Sequence, residues 1–244
     1  MNPAITLATA RRILTQLRHD GRTLAMLMGV PSLLMILLWY VIDNQRAFNA
    51  YGPMLLGIFP FVVMFIVTSI TTQRERAVGT LERLMSGPLG KLDLLLGYAI
   101  AFGAVALVQV GVVLAISLTW LELELAGSVG TLLLVAVLAA VLGMALGLFF
   151  SAFARTEFQA VQFMPAVVLP QVLLCGLIVP RDQMATWLEW LSNAMPLSYA
   201  VQAMRELGTT ADFTGVLARD LVVIAGCTLL ALILGAATLR RRTP

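Results

Sequence analysis

Long apolar runs alternate with short polar stretches over almost the whole chain. Runs at 23–42, 51–72, 94–120, 129–153, 158–179 and 216–239 each reach about 20 residues, the length an α-helix needs to cross a hydrocarbon core about 30 Å thick. Barrel strands would alternate at every second residue, and these runs do not. Backbone groups in lipid must bond within their own segment. The predicted class is therefore an all-α integral membrane protein with six transmembrane helices. Ahead of the first run, Leu7, Ala10, Leu14 and Leu17 make an apolar stripe, and Arg11, Thr15, Arg18 and Arg22 a basic one. That pattern predicts an interfacial amphipathic helix over 1–22, lying on an anionic membrane surface. The stretch 180–220 is too polar to span and too apolar for a free loop. Trp187, Leu188, Trp190 and Leu191, then Leu197, Tyr199, Val201 and Met204, predict short re-entrant helices dipping into the outer leaflet. A basic tail, 240–244, closes the chain.

The segment 73–93, between two long apolar runs, is strongly charged, with Arg74, Glu75, Arg76, Glu82, Arg83, Lys91 and Asp93. Val78, Leu81 and Met85 recur at helical steps. Glu75 and Glu82 are seven apart, as are Arg76 and Arg83, which predicts each pair stacked on one helix until Gly87-Pro88 stops it. From periodicity alone this is either a solvated loop or a surface helix that meets a soluble partner.

The residues RERAVGTLERLMSGPLGKLDLLLGY closely resemble the cytoplasmic coupling segment of the ABC-2 type (type V exporter-like) permeases, in particular the daunorubicin-type drug exporters. The family's RE(R/K) matches Arg74-Glu75-Arg76, and its GTLE-(R/Q)-L matches Gly79-Thr80-Leu81-Glu82-Arg83-Leu84. The resemblance implies a permease subunit paired with a second permease, identical or paralogous. It also implies two copies of a separate ATPase subunit, which would bind ATP and Mg. Arg74, Glu75, Arg76, Gly79, Thr80, Glu82 and Arg83 would couple to the ATPase. Arg155, Thr156 and Glu157 would form a second, smaller contact. The substrate path would lie at the permease dimer interface, along the first, second and fifth spans. The implied cargo is an amphipathic drug or lipid-like compound, with a polysaccharide or glycolipid as the alternative, and the implied location is a prokaryotic cell membrane.

Composition agrees with the class: of 244 residues, 60% are hydrophobic and 12% charged, against about 25% charged in soluble domains. With the N-terminus inside, twelve of the 16 basic residues fall on inner segments and four (Arg46, Arg181, Arg205 and Arg219) on outer ones. The positive-inside rule then places both termini in the cytoplasm. No Walker A motif is present, and no HExxH or GxSxG arrangement. The chain is therefore expected to be non-catalytic, with no cofactor or metal of its own and no nucleic-acid partner. Cys175, Cys227 and His19 suggest no chemistry. The acidic residues read as lying at or outside the span ends, which disfavours an ion-coupled carrier; a non-transporting assembly factor is the other rival. Gly143 and Gly147 form a GxxxG step for close helix packing within the subunit. Gln162 and Gln171, with Phe163 and Met164 beside Pro165 and Pro170, are expected to face the protein interior and line the substrate path. Gln109 is a further candidate for that path, and a bond between helices explains it equally well.

Overall fold

The computed structural model describes residues 3–79 and 90–238, with the side chains of Lys91 and Leu92 left aside. The helices are α1 (Pro3–His19), α2 (Gly21–Ile42), α3 (Gln45–Ala77), α4 (Lys91–Thr119), α5 (Val129–Ser151), α6 (Glu157–Phe163), α7 (Leu169–Leu174), α8 (Thr186–Ala194), α9 (Pro196–Thr209) and α10 (Gly215–Thr238). Among the described residues, six helical stretches are long and apolar enough to cross a membrane. Local chemistry sets their ends. Asp20 accepts from Thr23 N and caps α2, and Asn44 accepts from Ala47 N and caps α3. Between these two helices Asp43 turns the chain in the left-handed region at φ 44°, a conformation aspartate tolerates better than most residues.

The bundle is organised on α3, whose Phe48, Phe61, Met64 and Phe65 are fully enclosed. Gly143 and Gly147 on α5 lie against the backbone of α3, and a Cβ at either would run into the carbonyl of Phe61 or Phe65 respectively. The GxxxG step is thus used inside the subunit. Gln109, buried on α4, donates its amide to Leu27 O at 2.8 Å. In a regular helix that carbonyl would accept from residue 31, but Pro31 has no N–H. The glutamine fills the vacancy the proline creates.

Four expectations need correction. The buried face of α1 is Thr6, Thr9, Ala10, Ile13 and Leu17, while Leu7 is 62% exposed. The helix is rotated from the predicted stripe because it docks on α4: Gly97 leaves room for Thr9, whose Cβ would lie 2.7 Å from a Cβ added there. Thr6 can be buried because its hydroxyl donates to Asp93 at 3.2 Å. Second, the helix expected to run from 73 through the coupling segment stops at Ala77. Val78 caps it and Gly79 adopts φ 74°; Thr80, Glu82 and Arg83, and with them the expected stacking of Glu75 on Glu82, lie outside the described residues. Third, the fifth span, expected over 158–179 and broken at Pro165 and Pro170, is helical only to Leu174. Pro165 and Pro170 withhold backbone donors, and Met164–Val168 winds as a π-helix, with Leu169 N reaching back to Met164 O. Fourth, Asp220 is not marginal to the last span but a fully buried residue within α10, held by the adjacent Arg219 at 2.8 Å.

Candidate functional site

Two short connections leave the same end of the bundle, one after α3 and one between α5 and α6, and side chains tie them together. Arg74 sits in the last turn of α3. Its Nε lies 3.0 Å from Glu157 Oε1 and its Nη2 3.3 Å from Oε2, a two-pronged pair that fixes guanidinium and carboxylate in one plane. Glu157 is presented there because Thr156 caps α6, accepting from Gln159 N at 3.1 Å, while Gln159 Oε1 accepts from Arg155 N at 2.8 Å. This reciprocal arrangement resembles a capping box. The sequence-predicted residues Arg74 and Glu157 therefore meet, across 83 positions of chain.

Glu75, one residue on, points the other way, into the protein. Arg12 Nη2 on α1 donates to its Oε1 at 3.4 Å, and the Tyr98 hydroxyl on α4 donates to its Oε2. Only 11% of the Glu75 side chain is exposed, so its charge is committed to the subunit itself. Arg76 is half-buried, and its Nε and Nη2 have no hydrogen-bond partner among the described residues. Arg155 and Thr156 are exposed beside Glu157. The predicted charged row thus divides: Arg74 joins the second connection, and Glu75 knits α3 to α1 and α4. Arg12, Tyr98, Thr6 and Asp93 complete the cluster. Sequence spacing could not reveal them, because Arg12 and Glu75 are 63 positions apart and Tyr98 carries no charge.

Beside this cluster α1, α2 and α3 enclose a cavity of 390 Å³. Ile13, Leu17, Ile66 and Ile70 make it apolar, and Asp20, Arg74 and Glu75 supply its charged margin. Thr23 donates to Asp20 from its hydroxyl at 2.6 Å and its N–H at 3.1 Å. Those two bonds, the hydroxyl foremost, hold the Asp20 carboxyl below the usual carboxylate range.

The glutamines expected to line a path do not converge. Gln162 is exposed. Ala160 is the residue of α6 that faces the bundle, and two residues further on the direction has turned through about 200°. Gln171 is buried, but its amide donates to Val167 O of the same span at 3.2 Å. Phe163 and Met164 are half-buried and packed on the core, the Phe163 ring 5.9 Å from that of Phe150. Gln109 is occupied with Leu27 on the opposite flank of the chain order.

Comparison with known proteins follows the same lines. Residues 3–207 match the family described as ABC-2 type transporter. The chain is 27% identical over 164 residues to ABC transporter G family member 20 of Dictyostelium discoideum, covering 67% of this chain and 22% of that protein. It is 28% identical over 155 residues to the probable multidrug ABC transporter permease YbhR of Escherichia coli K12, covering 64% of this chain and 42% of that one. To the probable multidrug permease YbhS of the same strain it is 27% identical over 147 residues, covering 60% and 39%. The matched stretch thus spans less than half the length of these relatives.

Proposed function

Since the chain belongs to the ABC-2 type transporter family, we propose that it is the permease subunit of an ATP-driven exporter of amphipathic or lipid-like compounds. It is a multi-pass membrane protein and a transporter component. In our reading it works with a second permease and with separate ATPase subunits, which supply ATP, Mg and the hydrolytic chemistry. Both termini lie in the cytoplasm, and 73–93 and Arg155-Thr156-Glu157 meet the ATPase.

The observation that carries this reading is the Arg74–Glu157 pair. It joins the two connections that a coupling mechanism would have to move, so a push on either is felt by α3 and α6 together. The relatives named multidrug permeases support the cargo class. So does the apolar cavity with a charged margin beside the pair, since small-molecule sites are mostly apolar with a few fixed polar groups. The expected outcome is that the full chain co-purifies with an ATPase carrying a Walker A motif and stimulates its hydrolysis. Glu82→Ala should leave insertion intact while weakening assembly or hydrolysis-driven export. Failure of any such ATPase to bind, together with export driven by an ion gradient, would overturn the reading.

A further inference from the structure

At the opposite end of the bundle the chain folds back on itself after α7. Gly176 turns at φ 93°, and a short 3-10 turn, Arg181–Gln183, leads into α8. The folded-back segment and the start of α10 enclose a cavity of 390 Å³. Three arginines line it, and their partners differ. Arg219 is neutralised by Asp220 at 2.8 Å. Arg181 donates to two amide oxygens, Gln202 Oε1 at 2.7 Å and Asn193 Oδ1, and its guanidinium lies 5.2 Å from the centre of the Tyr199 ring. Arg205 donates to the Gly176 carbonyl at 2.6 Å. Neither Arg181 nor Arg205 makes an ion pair among the described residues. Neutral acceptors fix the direction of a guanidinium without cancelling its charge, so both positive charges remain available to the cavity.

The same cavity is lined by Asp182 and Glu189, and these too are free of ion pairs among the described residues. Two oriented guanidiniums and two unpaired carboxylates around one space suit a ligand that carries both signs a few ångströms apart. The outer side of α8 shows where that ligand comes from. Trp187 and Trp190 are 69% and 73% exposed, and Leu191 is exposed with them. Exposed tryptophans beside leucine mark the boundary between water and hydrocarbon. One helix therefore presents Glu189 and Asn193 to the cavity and an aromatic-aliphatic surface to lipid.

We propose that this cavity binds the headgroup of a zwitterionic phospholipid bearing a primary ammonium, as in phosphatidylethanolamine. Arg181 and Arg205 take the phosphate, Asp182 and Glu189 take the ammonium, and the acyl chains lie along Trp187, Trp190 and Leu191. Phosphate suits the guanidinium fork, and a primary ammonium has three donors for two carboxylates where a trimethylated one has none.

The test is native mass spectrometry of the detergent-purified full chain with equimolar phosphatidylethanolamine, phosphatidylglycerol and phosphatidylcholine of identical acyl chains. It reads binding alone, so its outcome is separate from whether the chain couples to an ATPase. Phosphatidylethanolamine should be retained about tenfold over the other two, the size of one charge-assisted contact. Arg181→Gln with Arg205→Gln should weaken retention of all three lipids about tenfold or more, since each carries the phosphate, and undiminished retention would overturn the proposal. Glu189→Gln, on a half-exposed wall where folding is not at stake, should shift it toward phosphatidylglycerol. Equal retention of the three lipids by the wild-type chain would overturn the proposal, as would an unchanged preference in the Glu189→Gln variant. Retention of chain-free phosphoethanolamine as tightly as the intact lipid would overturn the assignment to a membrane lipid.

Discussion

Single side chains of this protein repair defects left by other single side chains. The carbonyl of Leu27, freed by Pro31, is taken up by Gln109. Gln109→Leu should therefore lower thermal stability, by about 0.5–1.7 kcal/mol on the scale of hydrogen bonds between membrane helices. In a Pro31→Ala background the loss should shrink, because residue 31 then offers its own N–H; equal losses in both backgrounds would refute the link. Glu75 is a second case: Glu75→Leu strands the Arg12 guanidinium, and an unpaired buried partner costs about 1–3 kcal/mol or more. Glu75→Gln should be milder, since the amide oxygen still accepts from Tyr98. The exposed Arg74–Glu157 pair adds little to stability, about 0.2–1 kcal/mol. Its reversal, Arg74→Glu with Glu157→Arg, should restore whatever coupled hydrolysis either single change removes.

Whole elements follow from packing that a periodic pattern only partly discloses. The apolar runs announced the spans because length and hydropathy are local properties. The face α1 buries was not legible, since it depends on Gly97 making room for Thr9 and on Asp93 accepting from Thr6, both remote in sequence. The stop at Ala77 was legible in principle from Gly79, but the recurrence of Val78, Leu81 and Met85 argued for continuing the helix. The sharing of Glu75 between Arg12 and Tyr98 carried no sequence signal. Close packing of α5 on α3 is directly testable. Gly143→Ala meets backbone that cannot yield and should cost about 1–3 kcal/mol, as overpacking does. Gly111→Ala, with nothing within 4 Å of the new Cβ, should be tolerated, and both effects are read from melting in detergent. The cap of α2 makes a pH prediction. Because the Asp20 carboxyl sits below its ordinary range, its contribution is present above the usual carboxylate pKa and is lost as pH falls through the lowered value. Asp20→Asn should keep α2 capped and remove that part of the acid sensitivity in a pH series of melting curves.

The six candidate spans are unequally enclosed in the whole molecule: 67% of the most apolar window of α3 is buried, against 22% for α2 and 17% for the fifth span. Exposed Gln162 lies on this least enclosed span, in keeping with the proposed pairing of two permeases there. Gln162→Cys, in a background lacking Cys175 and Cys227, should crosslink two copies in native membranes. A cysteine at Val222, exposed on α10, serves as comparison, and equal crosslinking at both would place the interface elsewhere.

α3 runs unbroken for 33 residues, about 50 Å. Arg74 grips Glu157 near one tip. At the other tip the Gln45 amide holds the carbonyls of Leu121 and Glu122 at 3.2 and 2.8 Å, and Trp39 donates to Gln45 at 3.1 Å. In mechanical terms this is a shaft with a bearing at each end, notched at Pro53 and Pro60, which offer the helix no N–H. A tilt imposed at the Arg74 end is passed to the Gln45 end only as far as the turns around Pro53 and Pro60 hold their shape.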